Sequence, residues 1–228
     1  MTLTVFYSWQ TDSPGKVNRN FIEDSLKRAL KKLKADADLV NAMRDEELAL
    51  DKDTKDLPGM QPIVEAIFAK IDQCAVFVPD LTFVARTPEG RSVPNPNVLI
   101  EFGWALKSVG HARIVAVMNT AFGAPSWESL PFNMRHLSWP LTYTLAEGAE
   151  TAQRADVRGE LVDDLVERIR AVLGSVPAKP SAPVPVFEET KSTYDKAVFF
   201  DKGERLEHFP IIRGHSRQQR NSFRIPLV

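Results

Sequence analysis

Two short runs, Ala75-Val76-Phe77-Val78 and Ile114-Val115-Ala116-Val117, are apolar at every position. A strand with one wet face alternates apolar and polar residues, so an unbroken run of this kind belongs to a strand covered on both sides. The rest of the chain must therefore supply helices to two faces of a sheet. Apolar residues at helical spacing do so: Phe21, Ile22, Leu26, Ala29, Leu30 and Leu33 in one segment, and Ile63, Ala66, Ile67 and Ile71 in a second that starts near Pro62. Leu161, Leu165, Ile169 and Val172 mark a further helix over 157–173. Strands are expected at 4–9, 39–43, 75–79, 113–118 and 136–140, and the Pro-, Asn- and Gly-rich stretch before residue 96 reads as a loop. Strands alternating with helices at this spacing predict a parallel sheet joined by right-handed crossovers.

Composition narrows the function classes. The chain has 228 residues and a formal net charge of -1, which argues against a generic nucleic-acid surface. The single cysteine, Cys74, excludes an internal disulfide framework and suits a reducing compartment; beside an apolar run it reads as a buried structural thiol. No leader-like segment opens the chain, and no apolar run approaches the roughly 18 residues needed to span a bilayer. A cytoplasmic, membrane-free protein is expected. Lys27, Arg28, Lys31, Lys32 and Lys34 read as the solvated face of the first helix. The composition divides the chain into a domain over 1–175, a Pro-rich linker over 176–186 and an extension over 187–228. A hairpin is expected around Asp201-Lys202-Gly203-Glu204. Arg213, Arg217, Arg220 and Arg224 read as a flexible tail or a contact for an anionic or sensor partner.

Chemistry is concentrated in Pro96-Asn97-Val98-Leu99-Ile100-Glu101-Phe102-Gly103-Trp104-Ala105-Leu106. An ionised carboxylate inside an apolar run is costly to desolvate unless something compensates it. Glu101 either points at solvent from a wet stripe or lines a cleft. Asn97, Glu101, Trp104 and Ser108 share one helix face, which favours the cleft. In an open parallel sheet, ligands bind beyond the carboxyl ends of the strands. Ser8-Trp9-Gln10-Thr11-Asp12, Arg44-Asp45 and the loop with Asp51, Asp53 and Thr54, Asp80, and Asn119-Thr120 all fall at such ends. One carboxylate near aromatic rings suits cleavage of an N-glycosidic bond, because positive charge grows on the sugar as the base departs. Trp9 and Trp104 could stack on a ring or could be core or rim residues. A Walker-type loop, a dinucleotide fingerprint and metal-ligand spacing among the four histidines are all missing.

Several segments together resemble a bacterial branch of Toll/interleukin-1 receptor-like (TIR-like) domains. They are Val5 to Asp12 leading into Asn18-Arg19-Asn20-Phe21-Ile22, Asp53-Thr54 with Pro58-Gly59, Val78-Pro79-Asp80-Leu81-Thr82, Asn95 to Leu106, and Val117 to Gly123. The resemblance covers about residues 1–175. It implies a flavodoxin-like α/β fold, with a parallel five-stranded sheet, helices on both faces and a C-terminal extension. It also implies NAD glycohydrolase activity, in which NAD is substrate rather than cofactor, no metal takes part, and the products are nicotinamide and linear or cyclic ADP-ribose. Glu101 corresponds to the family's catalytic glutamate. Ser8, Trp9, Gln10, Asp53, Asp80, Asn97 and Trp104 are the expected substrate contacts. Family members commonly act by self-association, often in antiphage defence. The Asn-x-x-x-Glu-x-Gly-x-Ala pattern is also similar to nucleoside 2-deoxyribosyltransferases, whose glutamate is a nucleophile. A non-catalytic TIR-like interaction module is the third reading.

Overall fold

The computed structural model describes residues 2–37, 39, 47–52, 63–131, 134, 135, 137 and 139–175, and the backbone of 197–201 and 204–209. Internal contacts divide the chain into two units, Met1–Pro177 and Ala178–Val228.

The first unit is an α/β fold built on parallel strands. Strand β1 (Thr2–Ser8) pairs in parallel with β2 (Glu47–Asp51) on one side and β3 (Val76–Pro79) on the other, with Ser8 opposite Pro79. A second parallel ladder joins β6 (Val117–Asn119) to β7 (Leu141–Tyr143). Two isolated parallel bridges, Phe77 to Ile114 and Asp80 to Val117, link the ladders. In place of the expected five-stranded sheet, the described strands form a three-strand and a two-strand parallel ladder that touch only at single residues. Between β3 and β6, residues expected to be loop form an antiparallel hairpin, β4 (Phe83–Arg86) and β5 (Ser92–Pro94). Its turn is closed by Gly90 N–H donating to Thr87 O at 2.8 Å, with Gly90 at a φ of 80° that favours glycine.

Three strand positions differ from expectation. The second strand is Glu47–Asp51 rather than 39–43; Leu39 is helical, its N–H donating to Asp36 Oδ1, and residues 40–43 lie outside the described part. The run at 113–118 begins with a short 3-10 turn, His111–Arg113, and becomes a ladder only at Val117. The last strand is Leu141–Tyr143 rather than 136–140. Apolar character alone does not place a strand; backbone pairing decides where it begins.

Helices cover both faces. Helices α1 (Arg19–Lys34) and α4 (Thr151–Ser175) pack on the side reached by Val5, Tyr7, Val76 and Val78. Helices α2 (Ile63–Gln73) and α3 (Pro96–Ser108) pack on the side reached by Phe6 and Phe77. This division follows from strand alternation: neighbouring residues of β1 and β3 send side chains to opposite faces. Cys74 is buried in the second core, as its apolar context suggests. The basic face of α1 is solvated and ion-paired, Lys27 to Glu23, Arg28 to Asp24 and Lys32 to Asp163. Among the described residues no helix is long and apolar enough to cross a membrane. In the second unit, β8 (Ala197–Asp201) and β9 (Glu204–Phe209) form the antiparallel hairpin expected there. The arginines beyond it lie outside the described residues.

Candidate active site

Strand parity builds the site. Ser8 ends β1 and follows Phe6 in alternation, so its side chain faces α2 and α3. There its hydroxyl donates to Glu101 Oε2 at 2.6 Å, a short bond of the charge-assisted kind. Glu101 is half-buried, in the second turn of α3, and has no salt-bridge partner among the described residues. Burial pushes its carboxyl above the usual glutamate range, and the Ser8 hydrogen bond works against that shift. The result is a carboxyl group at the carboxyl end of β1, held by the Ser8 hydroxyl and paired with no cation among the described residues.

The start of α3 fixes that position. Asn95 is its N-cap: Oδ1 accepts from Asn97 N–H at 2.8 Å and Val98 N–H at 3.2 Å. Pro96 follows at the first helical position, where its missing N–H costs nothing. Asn95 Nδ2 in turn donates to Asp12 Oδ2 at 2.7 Å, tying the loop after β1 to the helix that carries Glu101. Asp12 belongs to the polar cluster expected after β1; Asn95 was not expected at the site, although Asn-Pro ahead of an apolar run is a recognisable helix start. The capped N–H groups are occupied, so this helix end has little left to offer a phosphate.

Other expected residues have different work. Asp80 is fully buried: Oδ1 accepts from Thr82 N–H at 3.0 Å and Oδ2 from Gln10 Nε2 at 3.3 Å. Burial raises its pKa, against the hydrogen bonds from Thr82 and Gln10. Gln10 is equally enclosed, its Nε2 also donating to Ser13 Oγ and its Oε1 accepting from Ser13 N–H at 3.0 Å. Both brace the loop after β1. At the end of β6 the Asn119 side chain holds the segment after β7, Nδ2 donating to Leu145 O at 2.8 Å and Oδ1 accepting from Leu145 N–H at 3.0 Å. Tyr143 Oη closes this web on Val17 O at 2.7 Å.

The two tryptophans are not brought to Glu101. Trp9 falls on the opposite face by alternation, packs against the α1 core and has the Arg19 guanidinium 4.7 Å from its ring centroid. Trp104 turns toward α2, where it stacks on Phe68 at 4.3 Å between centroids and donates from Nε1 to Asp72 Oδ1 at 2.7 Å. Asp72 sits in the last turn of α2, which leads to the amino end of β3, so this indole points away from the carboxyl edge of the sheet. Asn97 is exposed one turn above Glu101 and stays on its face. Asp53 lies outside the described residues. The grooves between α4 and the β6–β7 entry and between α1 and α4 lie elsewhere, and neither has Glu101 among its described lining residues. No group of three His, Cys, Asp or Glu residues placed to hold a metal occurs among the described residues.

No family model and no curated protein matches the chain. Among solved structures it is similar to the flavodoxin-like domain of a Synechococcus sp. protein, at 12% identity over 72% of this chain and 96% of that one, with a TM-score of 0.37. A likeness at that score is too distant to bear on topology or chemistry. The α/β assignment rests on the strand registers and on the two helical layers.

Proposed function

We propose that this chain is a TIR-like NAD glycohydrolase of flavodoxin-like fold, in which Glu101 acts on the nicotinamide–ribose bond. The observation that carries the reading is the Ser8–Glu101 hydrogen bond at the carboxyl end of β1. It holds a carboxylate, without a salt-bridge partner among the described residues, where parallel α/β sheets bind ligands. The nicotinamide of NAD is cationic before cleavage, and the charge passes to the ribose as the bond breaks. The bonding electrons leave with nicotinamide, the ribosyl carbon becomes electron-poor, and Glu101 stabilises or traps it until water attacks and loses a proton. Partial burial strengthens that attraction. It would also favour protonation, and the Ser8 hydroxyl offsets this by binding the ionised form.

Self-association belongs to the same reading. Ile63 and Val64 on α2 and Ile100 and Trp104 on α3 are large apolar side chains left exposed on adjacent helices. A second copy is the occupant this reading assigns to them. Depletion of NAD by the assembled form is how an antiphage role would follow.

The test is incubation of concentrated protein with NAD, following nicotinamide release for wild type and Glu101→Gln. Release that rises more than linearly with protein concentration and disappears in the variant supports the proposal. Equal rates in both proteins would place the chemistry elsewhere. Exchange of bases between deoxynucleosides, with no turnover of NAD, would assign Glu101 to a 2-deoxyribosyltransferase instead.

A further inference from the structure

The other end of the sheet carries a groove of about 750 Å³, inside the range of small-molecule sites. It opens at the amino ends of β6 and β7. The connection His111–Ile114 and the entry to β7 at Trp139–Leu141 border it, and the last turns of α4 close one side. Buried Phe102, Leu130, Met134 and Val172 lie along it, and half-buried Leu106, Leu137 and Leu141 present apolar surface to its interior. The Glu101 carboxylate lies at the opposite, carboxyl end of the strands, so this groove is separate from the proposed active site.

Its polar lining is one-sided. Among the described residues that line it, the polar groups are those of His111, Trp139, Arg168 and Ser175, all four can donate, and none is Asp or Glu. Arg168 is exposed at the mouth and makes no hydrogen bond or ion pair among the described residues. Its neighbours on α4 do: Arg158 pairs with Asp24 and Arg170 with Asp36. A guanidinium offers a planar fork of donors that matches a carboxylate. An apolar body alone would leave that fork idle, and a cationic ligand would be repelled by it.

We propose that this groove binds a small molecule with an elongated apolar body and one carboxylate, the body lying along Phe102, Leu130 and Val172 and the carboxylate meeting Arg168. A medium-chain fatty acid has this chemistry. The proposal does not depend on the reaction at Glu101.

Calorimetric titration of the full chain with dodecanoate, below its critical micelle concentration, tests it directly. Saturable one-to-one binding is expected, with a rise in melting temperature as the ligand selects the folded state. Dodecanol, which has the same body without the charge, should bind at least about tenfold more weakly, as should dodecanoate to Arg168→Glu. Ala171→Trp should abolish binding by filling the groove from an exposed helix position. Arg168→Glu alters a surface side chain and should fold like wild type, so it decides the matter should Ala171→Trp prove unstable. Equal binding of dodecanol and dodecanoate, undiminished binding to Arg168→Glu, or an absence of saturable binding would each overturn the proposal.

Discussion

Asp80 and Glu101 are acidic side chains at the same edge of the sheet, and their surroundings separate their roles. Asp80 follows β3, is wholly enclosed, and accepts hydrogen bonds from Thr82 and Gln10. Glu101 rises from α3, is only half-buried, and accepts one hydrogen bond from Ser8. Both carboxyls titrate above their ordinary range because burial penalises charge. Asp80 spends its acceptor capacity on the loop that follows β1, so its removal should cost stability. Glu101 accepts no second hydrogen bond among the described residues, so under the NAD-cleaving reading its removal should cost chemistry. A buried acid is therefore not a site by burial alone; unused acceptor capacity toward solvent is what distinguishes the two.

The sharpest way to break this comparison is a pair of substitutions read by both assays. Under the NAD-cleaving reading, Glu101→Gln should lower nicotinamide release by roughly 10³-fold, while denaturant unfolding changes by under about 1 kcal/mol. Asp80→Ala should do the reverse in kind, losing about 3 kcal/mol in the same unfolding measurement by stranding the Gln10 and Thr82 donors. If Asp80→Ala left stability intact, the structural role given to Asp80 would be lost.

The pH dependence sharpens the contrast. Because the folded-state pKa of Asp80 is raised, its contribution to folding is fully present below the unfolded value and is lost as pH rises through the folded one. Urea titrations across the acid range should show wild type losing stability relative to Asp80→Asn as pH increases. For Glu101 the readout is catalysis. Ser8→Ala removes the contact that favours the ionised form, so the acidic limb of the rate profile should move to higher pH, with roughly tenfold lower activity below it. Smallest of all is Trp104→Phe. Loss of the Asp72 bond should cost under about 1 kcal/mol in thermal unfolding and leave nicotinamide release unchanged. A large drop in release that persists at saturating protein concentration, where assembly is complete, would restore the indole to the active site.

Much of the architecture was legible in the residues. The unbroken apolar run at 75–78 announced a strand buried on both sides, the run at 114–117 reached a ladder only at its last residue, and the stripes of α1, α2 and α4 emerged where apolar spacing put them. What failed locally did so for one reason: apolar character reports burial, while strand limits depend on which backbone groups find partners. The hairpin β4–β5 was hidden because Pro88 and Gly90 mark a turn without saying that the flanking segments pair.

The site divides along the same line. That Glu101 needs a reason to sit among Ile100, Phe102 and Trp104 follows from the residues themselves, since the cost of desolvating a carboxylate is a local property. Which groups surround it is not local. Only the fold brings Ser8 to Glu101 across 93 positions, turns Trp9 to the other face, and draws Trp104 to Asp72. Chain order sets which residues can act; strand parity and helix packing, which exist only once the sheet has formed, decide which of them meet.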